Sequence, residues 1–150
     1  NKLAAANDLG LVAQVRENGT FTAQLNTITD GEGVAVILDM VGPDWNDLLG
    51  GLRAEGSLVS IGVLGGLNTE LNLGALLMKR QTLKSMTMRS QPLEKRIQLA
   101  QVFNDRLAPL FANGQLRPLP LETFSFENAI EAHKHMASND FSGKRVIVVK

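Results

Sequence analysis

Short, uniformly apolar runs alternate along this chain with stretches in which apolar residues recur every three or four positions. Val34 to Val41 (Val-Ala-Val-Ile-Leu-Asp-Met-Val) is the strongest strand signal. It is apolar on both faces and rich in β-branched residues, as expected of a parallel strand covered by helices on each side. Gly42-Pro43 ends it, and a helix follows with Trp45, Leu48, Leu49 and Leu52 on one stripe and Gly56 as its stop. Leu58 to Val63 reads as a second buried strand that runs straight into Leu64-Gly65-Gly66. Thr82 to Arg89 alternates only in part, the pattern of a strand nearer an edge.

Upstream, Lys2 to Leu9 is rich in Ala and Leu and is stopped by Gly10, which predicts a helix. Leu11 to Arg16 predicts a short strand. Thr20 or Thr22 then caps a helix carrying Phe21, Leu25 and Ile28, ended by the turn Asp30-Gly31-Glu32-Gly33. Downstream comes the longest amphipathic pattern, with Leu93, Ile97, Ala100, Phe103, Leu107, Leu110 and Phe111 on one face. Pro109 should kink or break it, and Gly114 ends it. Leu119 to Phe124 predicts a strand, Glu127 to Met136 a helix capped by Ser125, and Arg145 to Val149 a last strand. Strands alternating with helices indicate an α/β sheet built from parallel crossovers. No internal repeat or low-complexity segment interrupts it.

Composition narrows the picture. The 150 residues suffice for one domain with a real core, and 44% apolar with 20% charged residues is an ordinary globular balance. Fifteen basic residues offset fifteen acidic ones, so no basic stripe invites nucleic acid or an anionic membrane. The apolar runs fall far short of the roughly 18 residues a membrane span needs. There is no Cys, which removes disulfides and thiolate zinc sites together, and a cytoplasmic location fits. The chain opens at Asn1-Lys2-Leu3-Ala4-Ala5-Ala6 with neither an initiator Met nor a secretory signal, and reads as entered partway through a helix.

In open parallel sheets, ligands lie beyond the carboxyl ends of the strands. Two segments fall there: Asp39-Met40-Val41-Gly42 and Gly62-Val63-Leu64-Gly65-Gly66. Glycines at such ends let backbone approach a flat ring or a phosphate. Spacing alone favours ordinary turn glycines over a binding loop. No G-x-G-x-x-G lies between a strand and a helix, so the phosphate cradle of a dinucleotide site is missing from these residues. His133 and His135 point roughly 200° apart on a helix and cannot share a metal. There is no G-x-S-x-G elbow for a serine nucleophile, and one Trp with six Phe and no Tyr makes no platform for stacking bases.

Five landmarks, in order, carry a resemblance. Lys2-Leu3-Ala4-Ala5-Ala6-Asn7-Asp8-Leu9-Gly10 resembles the K-L-x-x-A-x-x-L-G-A helix of medium-chain reductases. Gly33 to Gly42 is similar to their G-V-D-V-I-L-D-x-V-G strand, and Gly56 to Gly62 to their G-R-x-V-x-I-G strand. Leu77-Met78-Lys79-Arg80-Gln81-Thr82-Leu83, followed by Met88-Arg89-Ser90, resembles a quinone-reductase stretch. Ala129 to Met136 with Gly143-Lys144-Arg145-Val146 resembles the terminal A-x-E-A-H-x-x-M…G-K-I-V-L. The chain thus resembles the C-terminal half of a zinc-free, NADPH-dependent quinone oxidoreductase of the medium-chain dehydrogenase/reductase superfamily.

That resemblance implies an enzyme about twice this long. Residues 1–90 would be the later part of a Rossmann-like parallel sheet flanked by helices. Residues 91–150 would be the linking helix and the returning C-terminal segment of a GroES-like substrate domain. Lys2 would lie near the adenosine 2′-phosphate and favour NADPH. Met40, Val41 and Gly42 would line the cofactor cleft, and Val63, Leu64, Gly65 and Gly66 would pass beside the nicotinamide, as would Thr87, Met88 and Arg89. Phe141 would complete the pocket beside Lys144. The Tyr that the family often places near Arg16 and Glu17 is missing here. The parent would transfer hydride from NADPH to a quinone or similar electron-poor double bond, with no metal and with no catalytic residue assigned to this half. The fragment alone would be inactive. A homodimer would form through the 82–89 edge strand. Two rivals stand beside this: an enoyl-reductase module of a multidomain synthase, and a nonenzymatic α/β interaction domain.

Overall fold

The apolar run that opens at Val34 forms β1 (Val34–Asp39), which pairs in parallel with β2 (Leu52–Ser60); β2 in turn pairs in parallel with β3 (Thr82–Ser85). The computed structural model describes residues 2–15, 19–138 and 143–149. The chain divides into two compact units, Arg16–Arg96 and a second made of Asn1–Val15 with Ile97–Lys150. The three-stranded sheet, in the order β1-β2-β3, belongs to the first.

Parallel neighbours need crossovers. Here α3 (Trp45–Gly50) lies between β1 and β2, and α4 (Leu73–Met78) between β2 and β3, while α2 (Phe21–Ile28) precedes the sheet. Register places Ile37 beside Leu58 and Leu58 beside Leu83 on one face. Ile37 and Leu58 join Leu48, Leu49 and Leu52 as the buried core, with Phe21, Leu25, Trp45 and Leu76 packed against it. Each such leucine contributes about 1.5–3 kcal/mol by leaving water. The α/β class with parallel strands is therefore the one the pattern predicts.

Several boundaries differ. The expected helix to Gly56 stops at Gly50, and β2 has already begun at Leu52. Gly56 instead sits in an irregularity of β2: an advance from Val34 to Val36 on β1 is matched by one from Leu52 to Ser57. Glu55, at φ 61, makes the turn, and a Cβ at Gly56 would lie 3.0 Å from the Arg53 carbonyl oxygen. The strand expected to reach Val63 ends at Ser60, and the one expected to reach Arg89 ends at Ser85. Helix α4 carries too short a pattern to announce itself. Alternation along β1 also has a consequence for cover. Ile37 and Asp39 are buried, whereas Val36 and Leu38, on the opposite face, are each 61% exposed. The two-sided apolar run predicts cover on both faces, and the structure covers one.

In the second unit, α1 (Lys2–Asn7) ends before Gly10, and Leu11–Val15 form no strand; the Asn7 side chain accepts from the Ala13 N–H at 3.0 Å instead. Helix α5 (Leu93–Arg106) spans the boundary between the units and gives way at Leu107 to α6 (Ala108–Ala112). Pro109 sits in the first turn of α6, where its missing N–H costs nothing. β4 (Leu121–Ser125) and β5 (Lys144–Val148) pair in parallel around a 3₁₀ turn (Phe126–Asn128) and α7 (Ala129–Ser138). Glu122 ties the three together: its carboxylate accepts from Arg145 Nε at 2.7 Å and lies 3.4 Å from His135 Nδ1. No helix among the described residues is long and apolar enough to cross a membrane.

Candidate functional site

The carboxyl ends of β1 and β2 are built around Asp39. A single carboxylate inside an apolar strand is costly to bury unless its oxygens are filled. Asp39 is 4% exposed, and Oδ1 accepts from the Val41 N–H at 3.0 Å while Oδ2 accepts from the Gly42 N–H at 3.0 Å and from Trp45 Nε1 at 3.1 Å. These bonds curl Met40–Gly42 into a tight loop and hold the first residue of α3 against it. Gly42 takes φ 85, a conformation that suits glycine.

The second loop is stitched onto the first through backbone. Ile61 N–H donates to the Asp39 carbonyl at 2.8 Å, and Gly65 N–H to the Val41 carbonyl at 2.7 Å. The approach is close enough to demand glycine. A Cβ at Gly62 would stand 2.7 Å from the Met40 carbonyl oxygen, and one at Gly42 would stand 3.1 Å from that of Gly66. On its other flank, the second loop meets the end of β3, where the Met86 N–H donates to the Ser60 carbonyl at 3.0 Å. Between them opens a cavity of about 510 Å³, lined by Ser60, Ile61, Gly62 and Val63 on one side and by Ser85, Met86, Thr87, Ser90 and Gln91 on the other. That volume is of the size that takes a small organic ligand. Its polar groups are hydroxyls and an amide, with no ionised group among the lining residues.

The structure thus brings Met40, Val41 and Gly42 against Val63, Leu64, Gly65 and Gly66. Of these, Val63 lines the cavity, and so does Thr87; Met88 and Arg89 lie in the turn that follows and are not in its lining. Lys144 opens β5 and belongs to the other compact unit, as does Lys2 in α1. The Lys2 side chain lies outside the described residues, and so do Phe141, Arg16 and Glu17. Sequence reasoning passed over Asp39, Trp45, Ser60, Met86 and Gln91. Asp39 alone left a signal, as the one charged residue in the most apolar run of the chain.

Comparison with known proteins adds a family to this geometry. The model of the zinc-binding dehydrogenase family matches residues 9–147. The chain is similar to a quinone oxidoreductase of Pseudomonas aeruginosa, 31% identical over 128 residues that make up 81% of this chain and 37% of the relative. The crystal structure of a quinone oxidoreductase from Pseudomonas syringae pv. tomato DC3000 superposes with a TM-score of 0.75 at 25% identity, covering 98% of this chain and 46% of that one. Escherichia coli K-12 YhdH, solved with bound NADPH, shares the fold at a TM-score of 0.59 and 19% identity, over 78% of this chain and 35% of that one. The chain therefore spans less than half the length of these relatives.

The family's description names zinc, and the described residues of this chain gather no ligand set for it. Among the described residues no group of three or more His, Cys, Asp or Glu side chains is gathered, and the sequence holds no Cys.

Proposed function

The chain belongs to the zinc-binding dehydrogenase family, and from that premise we propose that it is part of a zinc-independent, cytoplasmic oxidoreductase that moves hydride from NADPH to a quinone or a similarly electron-poor double bond. In this reading residues 1–90 contribute to the cofactor domain and 91–150 return to the substrate domain. The observation that carries it is the pair of glycine loops joined beyond β1 and β2, with a ligand-sized cavity beside the second. The likeness to a quinone oxidoreductase points to the acceptor class, and a fold relative with bound NADPH points to the cofactor.

Ile61 and Val63 offer apolar side chains against which a planar ring can rest, and the hydroxyls of Ser60, Ser85 and Thr87 with the Gln91 amide provide hydrogen bonds at its rim. NADPH, when bound, supplies the hydride. The task left to these residues is to hold and orient the ring and to keep water from its face, and positioning of that kind accounts for much of such catalysis. Phosphates find no G-x-G-x-x-G cradle in this sequence, so affinity here is expected to be weak.

A titration of the chain with NADPH, followed by amide exchange, tests the reading. Protection gathered at Ile61–Val63 and Met86–Gln91 supports it. An NADPH-saturated sample with no change at those amides would remove it and leave an interaction domain as the better account. Ordinary NADPH:quinone turnover by these 150 residues alone would refute the division of labour between the two halves of the enzyme.

A further inference from the structure

β3 is a four-residue strand, and only Leu83 among Thr82–Ser85 is apolar. A slip of one residue would place Thr82 or Lys84 on the core face in its stead, and one leucine is a weak guard against that. Yet the register matters to the cavity, since Ser85 pairs with Ser60 and the Met86 N–H donates to the Ser60 carbonyl. Something other than the hydrophobic pattern has to set it.

We propose that Lys79 and Gln81 are positioning residues of the cleft: they clamp the start of β3 to the turn between α3 and β2 and so fix where the Met86–Gln91 wall stands. Lys79 Nζ donates to the carbonyls of Gly50 and Leu52, each at 3.0 Å. Gln81 Nε2 donates to the carbonyls of Leu49 at 2.9 Å and Leu52 at 3.2 Å. The remaining carbonyl of that turn, on Gly51, accepts from the Val34 N–H at 3.0 Å. Every carbonyl from Leu49 to Leu52 therefore has a donor, and two of the donors are side chains that bracket a single residue just ahead of β3.

That residue, Arg80, adds a third tie. It adopts φ 51 and its Nε meets Glu55 Oε1 at 3.1 Å, where Glu55 itself adopts φ 61. The Glu55 N–H donates to the Lys79 carbonyl at 2.8 Å. Both left-handed residues are held by each other's segment, and such conformations persist only where the surroundings impose them. The Arg80–Glu55 pair is exposed and worth little alone. Lys79 and Gln81 reach main-chain acceptors, so they fix position to within a hydrogen bond's tolerance. A paired strand does not stretch, and a grip at Gln81 is carried along β3 to Met86.

The clamp itself stands apart from the identity of the ligand; its effect on NADPH rests on the function proposed above. Lys79→Met is the direct test, read by amide exchange in the full chain. The Met86 amide should exchange about tenfold faster while Ile37 and Leu58 keep their protection, because opening is local. Lys79→Arg, which still presents N–H donors, should restore it. NADPH should bind about tenfold more weakly to Lys79→Met. Leu76→Ala is the comparison, since it loosens the core and should speed exchange across the whole unit evenly. Unchanged exchange at Met86 in both Lys79→Met and Gln81→Met would overturn the proposal. So would an even rise across the unit that matches Leu76→Ala. If the parent chain binds no NADPH, the cofactor reading fails and the exchange pattern still decides the clamp.

Discussion

The indole of Trp45 donates to the carboxylate of Asp39 across 3.1 Å, and this single bond joins the first residue of α3 to the last residue of β1. The same Asp39 oxygen serves the Gly42 N–H. One buried carboxylate thereby shapes the loop beyond β1 and aims the helix that follows.

Asp39→Ala leaves the N–H groups of Val41 and Gly42 and the indole of Trp45 without this acceptor, in a place where water reaches poorly. A loss of about 3 kcal/mol or more is expected in urea unfolding. Trp45→Phe removes one donor and should cost about 1–2 kcal/mol. Emission from Trp45, the only Trp, should shift to the red in Asp39→Ala. Equal stability of the two variants would refute the central place given to the carboxylate.

Gly62→Ala forces a Cβ to within 2.7 Å of the Met40 carbonyl oxygen, and the obstacle is backbone. The two loops must part, at a cost of about 1–3 kcal/mol. Heat denaturation measures the loss, and amide exchange at Gly65, whose N–H reaches Val41, locates it. A native melting curve would show that the loops can shift freely.

Asp47, in the first turn of α3, caps a different helix. Its carboxylate accepts from the Phe21 N–H at 2.8 Å and from the Thr22 N–H at 3.0 Å, so α2 is capped from across the core. Thr20 holds the N-cap position without a side-chain cap bond. Asp47→Ala should cost about 1–2 kcal/mol and raise exchange first in α2.

Glu127 titrates below the ordinary glutamate value, lowered first by a backbone hydrogen bond and then by the Ser125 side chain. A depressed carboxyl favours the folded state above its unfolded pKa, and that contribution fades as pH falls through the lowered folded pKa. Ser125→Ala should bring the Glu127 pKa back up toward the ordinary value in a carbon-detected NMR titration. An unmoved value would leave the backbone bond as the sole cause.

A homodimer is expected through the segment 82–89, since β3 ends the described sheet order and keeps one edge unpaired within that sheet. Sedimentation at rising concentration checks it, and a strict monomer at the highest concentration would refute it.

Much of the fold is legible in the residues themselves. Val34–Asp39 and Leu58–Ser60 are strands because β-branched and apolar side chains suit a packed pleat, and the end of the long helix before Pro109 follows from a missing N–H. The site was legible as two glycine-bearing segments at strand ends. Its working parts were less so. The roles of Asp39, Ser60 and Met86 depend on partners that the linear order keeps apart, and a serine or methionine carries no mark of what it will face.

Local chemistry decided the most apolar strands, Val34–Asp39 and Leu58–Ser60, and the longest amphipathic helix, and with them that parallel strands need crossovers between them. Tertiary structure decided the rest. It brought Lys79 and Gln81, some thirty residues on, within reach of the carbonyls that the end of α3 leaves without helical donors. It gave α2 a cap from Asp47, and it left Val36 and Leu38 uncovered on a strand whose composition suits burial on both faces. Periodicity reports what a side chain prefers, whereas a hydrogen bond between distant residues exists only once the sheet has brought them within reach.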